Sequence, residues 1–312
     1  MTLTSLPLIS LAADPATLPD ALGGSFREFG FAMVEDHGIE PALIDAAWRL
    51  TAEFFALPES EKLTYFRPDL AGARGYTPFG REIAKGAKVS DLKEFWHVGR
   101  GVSADPGPID PAMHPNIWPQ RPAGFREVFT ELFDQFDRVG AVLLSHIAVH
   151  LGLPADRFVA DTAGGVSLLR LLHYPPLSHE PGLAMRAEAH EDINLITLLL
   201  GAEESGLELL ARDGSWIAVT PPAGALVINI GDMLQRLTNH VLPSTTHRVR
   251  NPEKVRSGFS RYSMPFFVHL RGDVRLAPLP GCVTTENPLR DPHTVTADEY
   301  LHERLREIGL LS

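Results

Sequence analysis

The chain has 312 residues and a net charge of -11, with 44% hydrophobic and 21% charged residues. Those proportions are ordinary for a globular protein and lack the basic surface that phosphate backbones require, so no nucleic-acid partner is expected. A single cysteine, Cys282, excludes an internal disulfide or a cysteine-based zinc site and fits a reducing compartment.

The first residues lack the basic start and long apolar stretch of a signal peptide. The longest apolar runs, around Leu195–Leu200 and Ala225–Ile230, are too short to span a bilayer. The expectation is a cytoplasmic protein with no membrane partner; composition leaves the oligomeric state open.

In chain order, the first strong periodicity covers residues 41–57. Ile44, Ala47, Trp48, Thr51, Phe54 and Phe55 recur at helical spacing, and Leu57-Pro58 stops the helix. A loop-rich stretch follows, roughly 67–122, long enough to cover an active site. Residues 124–152 predict a long helix with Phe125, Phe129, Leu132, Phe133, Phe136, Leu143 and Ile147 on one broad face, ended by Gly152 and Pro154. From Val166 the texture is β-rich: Ser167–Tyr174, Ile193–Leu200, Leu207–Leu210, Trp216–Val219, Ala225–Ile230, His247–Val249 and Arg261–Val268, separated by Pro, Gly, Asp and Asn turns. Short strands at this spacing predict a sandwich or double-sheet jelly roll. Asp298–Leu310 reads as a closing helix.

Three side chains suggest a metal centre. His190 and Asp192 lie two apart, so on an extended segment both point to one face. His247, in Ser244-Thr245-Thr246-His247-Arg248-Val249, must arrive from another strand. Two imidazoles and one carboxylate are what iron(II) needs when coordination positions must stay open for an oxidant and a cosubstrate. Taken alone, His-x-Asp is a common polar pattern; the apolar strand residues that follow it, Ile193–Leu200, give it weight. Arg261 and Ser263 also lie two apart, leading into apolar Met264–Val268. An arginine there needs an anion, and guanidinium with hydroxyl suits a carboxylate. Tyr174 can supply a third contact to that carboxylate, although a tyrosine capping a core is an equal reading. His146 and His150, four apart on the long helix, lack the glutamate and third ligand of a zinc site, and are read as structural.

Together these motifs resemble the iron(II)/2-oxoglutarate-dependent dioxygenases of the isopenicillin N synthase-like family. Leu6–Ile9 resembles that family's opening strand, Phe29–Ile39 its GFF-x-V-x-NHGI segment, and Phe54–Lys62 its FF-x-LP-x-x-x-K segment. Arg74-Gly75-Tyr76, Asp91–Glu94, Tyr174-Pro175-Pro176, His190-x-Asp192, His247 and Arg261-x-Ser263 follow in the family's order. The resemblance implies a mainly β fold with flanking helices: a double-stranded β-helix, or jelly-roll, core behind a helical N-terminal region. It implies residues 1–120 as an N-terminal dioxygenase region and 121–312 as long helix, jelly-roll core and C-terminal helix, packed as one unit. His190, Asp192 and His247 are then the catalytic metal ligands for Fe(II). Arg261, Ser263 and Tyr174 hold the distal carboxylate of 2-oxoglutarate, and His37 is a buried structural histidine.

The implied reaction consumes 2-oxoglutarate and O2, hydroxylates or desaturates a small-molecule substrate, and yields succinate and CO2. Asp192 favours oxygen insertion, because halogenating relatives lack that carboxylate. One departure concerns the cosubstrate: Leu172 stands where the family often has asparagine, and Arg170 on the same strand face can compensate. Substrate candidates are Arg74, Tyr76, Phe79 and Glu82 in the long loop, with Phe95, His97 and Phe267. Three other readings are an enzyme that breaks 2-oxoglutarate down to ethylene, an isopenicillin N synthase-like oxidase without 2-oxoglutarate, and a degenerate 2-oxoglutarate-binding protein.

Overall fold

Strict in-out alternation along the strands builds the molecule. In the computed structural model, residues 5–70, 72–81, 91–101, 114–176, 186–201, 206–251 and 258–307 are described. An eight-stranded sheet contains β1 (Leu8–Ser10), β2 (Phe31–Glu35), β3 (Gly75–Thr77), β4 (Glu94–Gly99), β5 (Leu168–Tyr174), β7 (Ile196–Leu200), β10 (Leu226–Ile230) and β12 (Arg261–Val268). Their spatial order is β1-β2-β10-β7-β12-β5-β4-β3. The smaller sheet runs β6 (Ala187–His190), β11 (His247–Val249), β8 (Leu207–Leu210), β9 (Trp216–Ala218).

The strand registers of the large sheet carry no slip from β2 to β4. One cross-strand row therefore reads Phe31, Asn229, Thr197, Phe267, Leu168, Gly99. Residues of that row, and of rows two positions away, face the smaller sheet. Phe31 and Val227 pack there against Leu207, Leu209 and Val219. The alternate residues, among them Leu169, Leu171, Leu198, Ile228 and Phe266, face the helices. This two-sheet arrangement with helices on one outer face is the jelly roll expected from the strand pattern.

The helices are α1 (Leu18–Phe29), α2 (Pro41–Phe55), α3 (Glu59–Lys62), α4 (Phe125–His150), α5 (Val159–Thr162), α6 (Asp232–Leu237) and α7 (Ala297–Glu307). The spine is α4: its Phe133 meets Phe266 edge-on and its Phe136 stacks on the same ring. The sequence reading has no helix at 18–29. Leu18, Leu22, Phe26 and Phe29 do share a buried face, but Gly23-Gly24 in the middle lowers helix propensity. Gly23 is needed for contact: a Cβ there would lie 2.1 Å from the His150 ring of α4.

The predicted loop at 67–122 also needs correction, because it contains β3 and β4. Both are buried strands of the large sheet. Glu94 and His97 interrupt the apolar pattern of β4 and hide it from periodicity. The predicted strand at 193–200 starts at Ile196, and the predicted closing helix is described over Ala297–Glu307.

Candidate active site

His190 ends β6 and His247 begins β11, directly opposite each other in the small sheet. Their rings lie 4.4 Å apart. Asp192 follows two residues on, past the end of β6 and just before the bend at residues 193–195. The expectation that both members of His190-x-Asp192 sit on one strand is thus half met. What fixes the bend is hydrogen bonding rather than strand pairing: Asp232 N–H donates to the Asp192 carbonyl at 2.8 Å, and Met233 N–H to Asn194 O at 3.0 Å.

The two imidazoles are oriented alike. His190 Nδ1 lies 2.7 Å from Glu188 O, and His247 Nδ1 lies 3.1 Å from Thr245 O. A carbonyl only accepts, so each Nδ1 carries the proton and each Nε2 presents a lone pair. Those lone pairs face Asp192: His190 Nε2 is 3.8 Å from Oδ1, and His247 Nε2 is 3.9 Å from Oδ2. Both gaps are too long for hydrogen bonds. The three side chains offer one ligand atom each within 4.8 Å of one another, and they form the one such His/Cys/Asp/Glu group among the described residues. Three acceptors converging without a proton between them suit a cation.

Neighbours hold the carboxylate in place. Asp192 Oδ2 accepts from Thr197 Oγ1 at 2.6 Å and Asn229 Nδ2 at 2.8 Å, and Asn194 Nδ2 donates to Thr197 Oγ1 at 2.8 Å. Such outer partners orient metal ligands. Sequence reasoning missed Thr197 and Asn229; the alternation that places both on the inner face of adjacent strands was the available signal. Phe31 meets the His247 ring edge-on at 5.4 Å.

Burial pushes the His190 imidazole down to about 4, and the facing His247 adds to the shift. For Asp192 burial acts upward, but both imidazoles and the Thr197 and Asn229 bonds outweigh it and hold the carboxyl below its usual range. Neutral imidazole and ionised carboxylate are the ligand forms a metal requires. Nearby, burial pushes the Asp232 carboxyl up to about 7, with Glu191 and Asp192 adding to the effect.

Arg261, Ser263 and Tyr174 lie on one face of the large sheet. Arg261 pairs with Tyr174 across β12 and β5, and Ser263 with Leu172. All three side chains are buried. The guanidinium carbon of Arg261 lies 5.0 Å from the Tyr174 ring centre. Guanidinium, hydroxyl and phenol on one sheet face make a donor set suited to a carboxylate. Leu172 packs with Phe95 and Tyr174 in a small apolar cluster.

The substrate candidates separate. His97 and Phe267 lie on the inner face of the large sheet, as does Phe95. Arg74 folds its guanidinium onto the same face: a Cβ on Gly99 would lie 2.1 Å from Arg74 Cζ. Tyr76 is a correction. It pairs with Trp96 on the helix-facing side, sits 1% exposed in the main core, and donates its hydroxyl to Glu94. Arg74 and Tyr76 look like an i, i+2 pair, yet Arg74 precedes β3 and escapes its alternation. Phe79 is 47% exposed beyond the end of β3, and Glu82 lies outside the described residues.

His150 is held by Arg27 Nε at 2.8 Å and lies 3.2 Å from Asp20. His37 is half-buried, with Nε2 2.7 Å from Gly224 O. Neither belongs to a metal-binding group among the described residues. No described helix is long and apolar enough to cross a membrane.

Two family models match the chain: the non-haem dioxygenase in morphine synthesis N-terminal region over residues 6–121, and the 2OG-Fe(II) oxygenase superfamily over residues 165–270. The 2-oxoglutarate-Fe(II) type oxidoreductase hxnY of Emericella nidulans is 34% identical, across 85% of this chain and 78% of its own length. A 2OG-Fe(II) oxygenase family protein of Caulobacter crescentus superposes with a TM-score of 0.89 at 48% identity, covering 98% of this chain and 99% of its own. A full-length Neurospora crassa protein crystallised in complex with alpha-KG and thymine gives 0.83 at 30% identity, with 96% of each chain covered. With a convergent His-Asp-His site on this fold, the chain belongs to the 2OG-Fe(II) oxygenase superfamily and is a non-haem iron(II), 2-oxoglutarate- and O2-dependent dioxygenase of small molecules.

Proposed function

We propose that His190, Asp192 and His247 hold the iron, and that Arg261, Ser263 and Tyr174 hold the distal carboxylate of 2-oxoglutarate. The observation that carries this reading is the pairing of each histidine Nδ1 with a backbone carbonyl, which turns both Nε2 lone pairs toward Asp192. Bound iron with 2-oxoglutarate supplies the oxidising power for insertion of oxygen into, or desaturation of, a substrate C–H position. The chain's own part is placement. Thr197 and Asn229 keep Asp192 ionised and aimed. The Arg261 guanidinium and Ser263 hydroxyl fix one end of the cosubstrate, so its other end is presented to the metal. The apolar cluster of Phe95, Leu172 and Tyr174 keeps water from the clamp. Arg74, His97, Phe95 and Phe267 line the substrate side.

In this reading residues 1–120 and 121–312 act as one unit, because strands from both complete the large sheet. Retention of Asp192 favours oxygen insertion over halogenation. The thymine held by the Neurospora crassa protein supports a small substrate here. A single buried thiol, Cys282, supports a reducing, cytoplasmic setting.

Anaerobic calorimetry tests the assignments. Fe(II) and then 2-oxoglutarate are titrated into the full chain and into Asp192→Ala and Arg261→Gln. Asp192→Ala should lose iron affinity. Arg261→Gln should bind iron normally and lose 2-oxoglutarate. Undiminished iron binding by Asp192→Ala refutes the metal assignment, and undiminished 2-oxoglutarate binding by Arg261→Gln refutes the clamp.

A further inference from the structure

We propose that the substrate is an organic acid whose carboxylate is received by Arg170, with Arg74 beside it, on the inner wall of the large sheet. This deepens the function proposed above and rests on its assignment of Arg261 to the cosubstrate.

Arg170 shares a face of β5 with Tyr174, the cross-strand partner of Arg261. The two positions are four steps apart along the strand, about 13 Å. A five-carbon diacid anchored at Arg261 commits its other end to the metal. The sequence expectation gives Arg170 a compensating role for Leu172 at that end; we assign it instead to the substrate, and its effect on 2-oxoglutarate binding separates the two roles.

The Arg170 position is built. Arg170 Nε donates to His97 Nε2 at 2.6 Å, while His97 Nδ1 is tied to Gly72 O at 2.5 Å. Since a carbonyl takes the Nδ1 proton, the ring is a neutral acceptor toward Arg170. His97 is a positioning residue. It steers a guanidinium whose carbon lies 4.4 Å from the Phe95 ring centre and 5.4 Å from that of Phe267. Phe267 stands directly opposite Thr197, whose hydroxyl holds Asp192. Arg170 thus lies beside the row that supports the metal site.

Arg74 points to the same ligand class. It is 3% exposed. Among the described residues its Nε and Nη1 meet only neutral carbonyls, His114 O at 3.0 Å and Ala73 O at 2.7 Å. Its Nη2 is buried without a hydrogen-bond partner among the described residues. Burial draws its pKa down to about 10. A buried guanidinium facing only neutral oxygens is costly, and a bound carboxylate removes much of that cost. The guanidinium occupies the space where a side chain on Gly99 would stand, at the end of the same row. Phe95 and Phe267 add apolar ring surface, so the acid should carry a hydrocarbon or aromatic body.

Calorimetry on the full chain saturated with 2-oxoglutarate tests this, with phenylacetate and its neutral amide, phenylacetamide, as probes. Phenylacetate should bind saturably and more tightly than the amide. Arg170→Gln should weaken phenylacetate by about 10- to 100-fold, as expected for loss of a hydrogen bond to a charged group, and leave the amide and 2-oxoglutarate unchanged. Arg74→Gln should act in the same direction; if that buried change prevents folding, Arg170→Gln decides alone. Equal binding of acid and amide, no saturable binding of phenylacetate, or an unchanged acid affinity in Arg170→Gln overturns the proposal. Loss of 2-oxoglutarate in Arg170→Gln also overturns it, because the arginine would then serve the cosubstrate. A failure of the clamp reading looks different: Arg261→Gln keeps 2-oxoglutarate while the preference for acid over amide persists.

Discussion

The two faces of the large sheet use the same strands to opposite ends. On the helix-facing side the polar groups around Glu94 satisfy one another. Glu94 accepts from Lys62 Nζ at 2.7 and 2.8 Å, from the Tyr76 hydroxyl, and pairs with His173 Nδ1 at 2.7 Å; His173 Nε2 meets Ser260 Oγ at 2.9 Å. On the inner face Asn229 and Thr197 both donate to Asp192, and Arg261 and Ser263 of β12 share that face. A closed buried network such as that around Glu94 is a structural device, whereas imidazole lone pairs facing a carboxylate without a proton between them suit a ligand. One position of slip along a strand would exchange the two sets.

Substitutions on each face should therefore fail differently. The largest effect is expected for Asp192→Ala: succinate formation from 2-oxoglutarate should fall to background while urea unfolding stays cooperative. On the opposite face, Lys62→Met leaves Glu94 buried with fewer partners and should cost about 3 kcal/mol in denaturant unfolding, the low end for a broken buried pair, because Tyr76 and His173 remain. Its iron affinity should be unchanged; a parallel loss of iron would erase the distinction between the faces. Thr197→Val removes the hydroxyl that holds Asp192 and should weaken iron about 10- to 100-fold, the range for outer partners of metal ligands, with little change in unfolding.

The smallest effect concerns acid. The His190 pKa of about 4 lies below the ~6.5 of an unfolded histidine. Below pH ~6.5 the unfolded chain therefore binds a proton that the folded chain refuses. The contribution is complete above that pH and is lost as pH falls toward 4. Metal-free protein should lose stability across this window, and His190→Asn should flatten part of the slope. The ring is 36% exposed, so solvent screening keeps the change modest. A larger pH slope in the variant than in the parent chain would contradict the assignment.

How much could be read in advance depended on regularity. Arg261-x-Ser263 lies on an uninterrupted strand, so spacing alone placed both side chains on one face. His190 and His247 were identifiable, but their direct cross-strand pairing was not, since nothing local in β6 or β11 names its partner. Asp192 works from past the end of β6, where alternation does not apply. β4 escaped notice because Glu94 and His97 are buried by partners distant in sequence: Lys62, Tyr76 and His173 for one, Arg170 for the other. Tyr76 was misplaced for the same reason, its destination being set by Trp96 across the sheet.

The pairing of His190 with His247 has a consequence for assembly. The register of β6 against β11 shifts between His247 and Val249, so the two strands agree at the histidine end and disagree beyond it. An ion seated between the rings would cross-link the short strands where their ladder is correct. Metal binding would then add its free energy to the pairing of β6 with β11, so the two short strands should exchange their amide hydrogens more slowly with iron than without it.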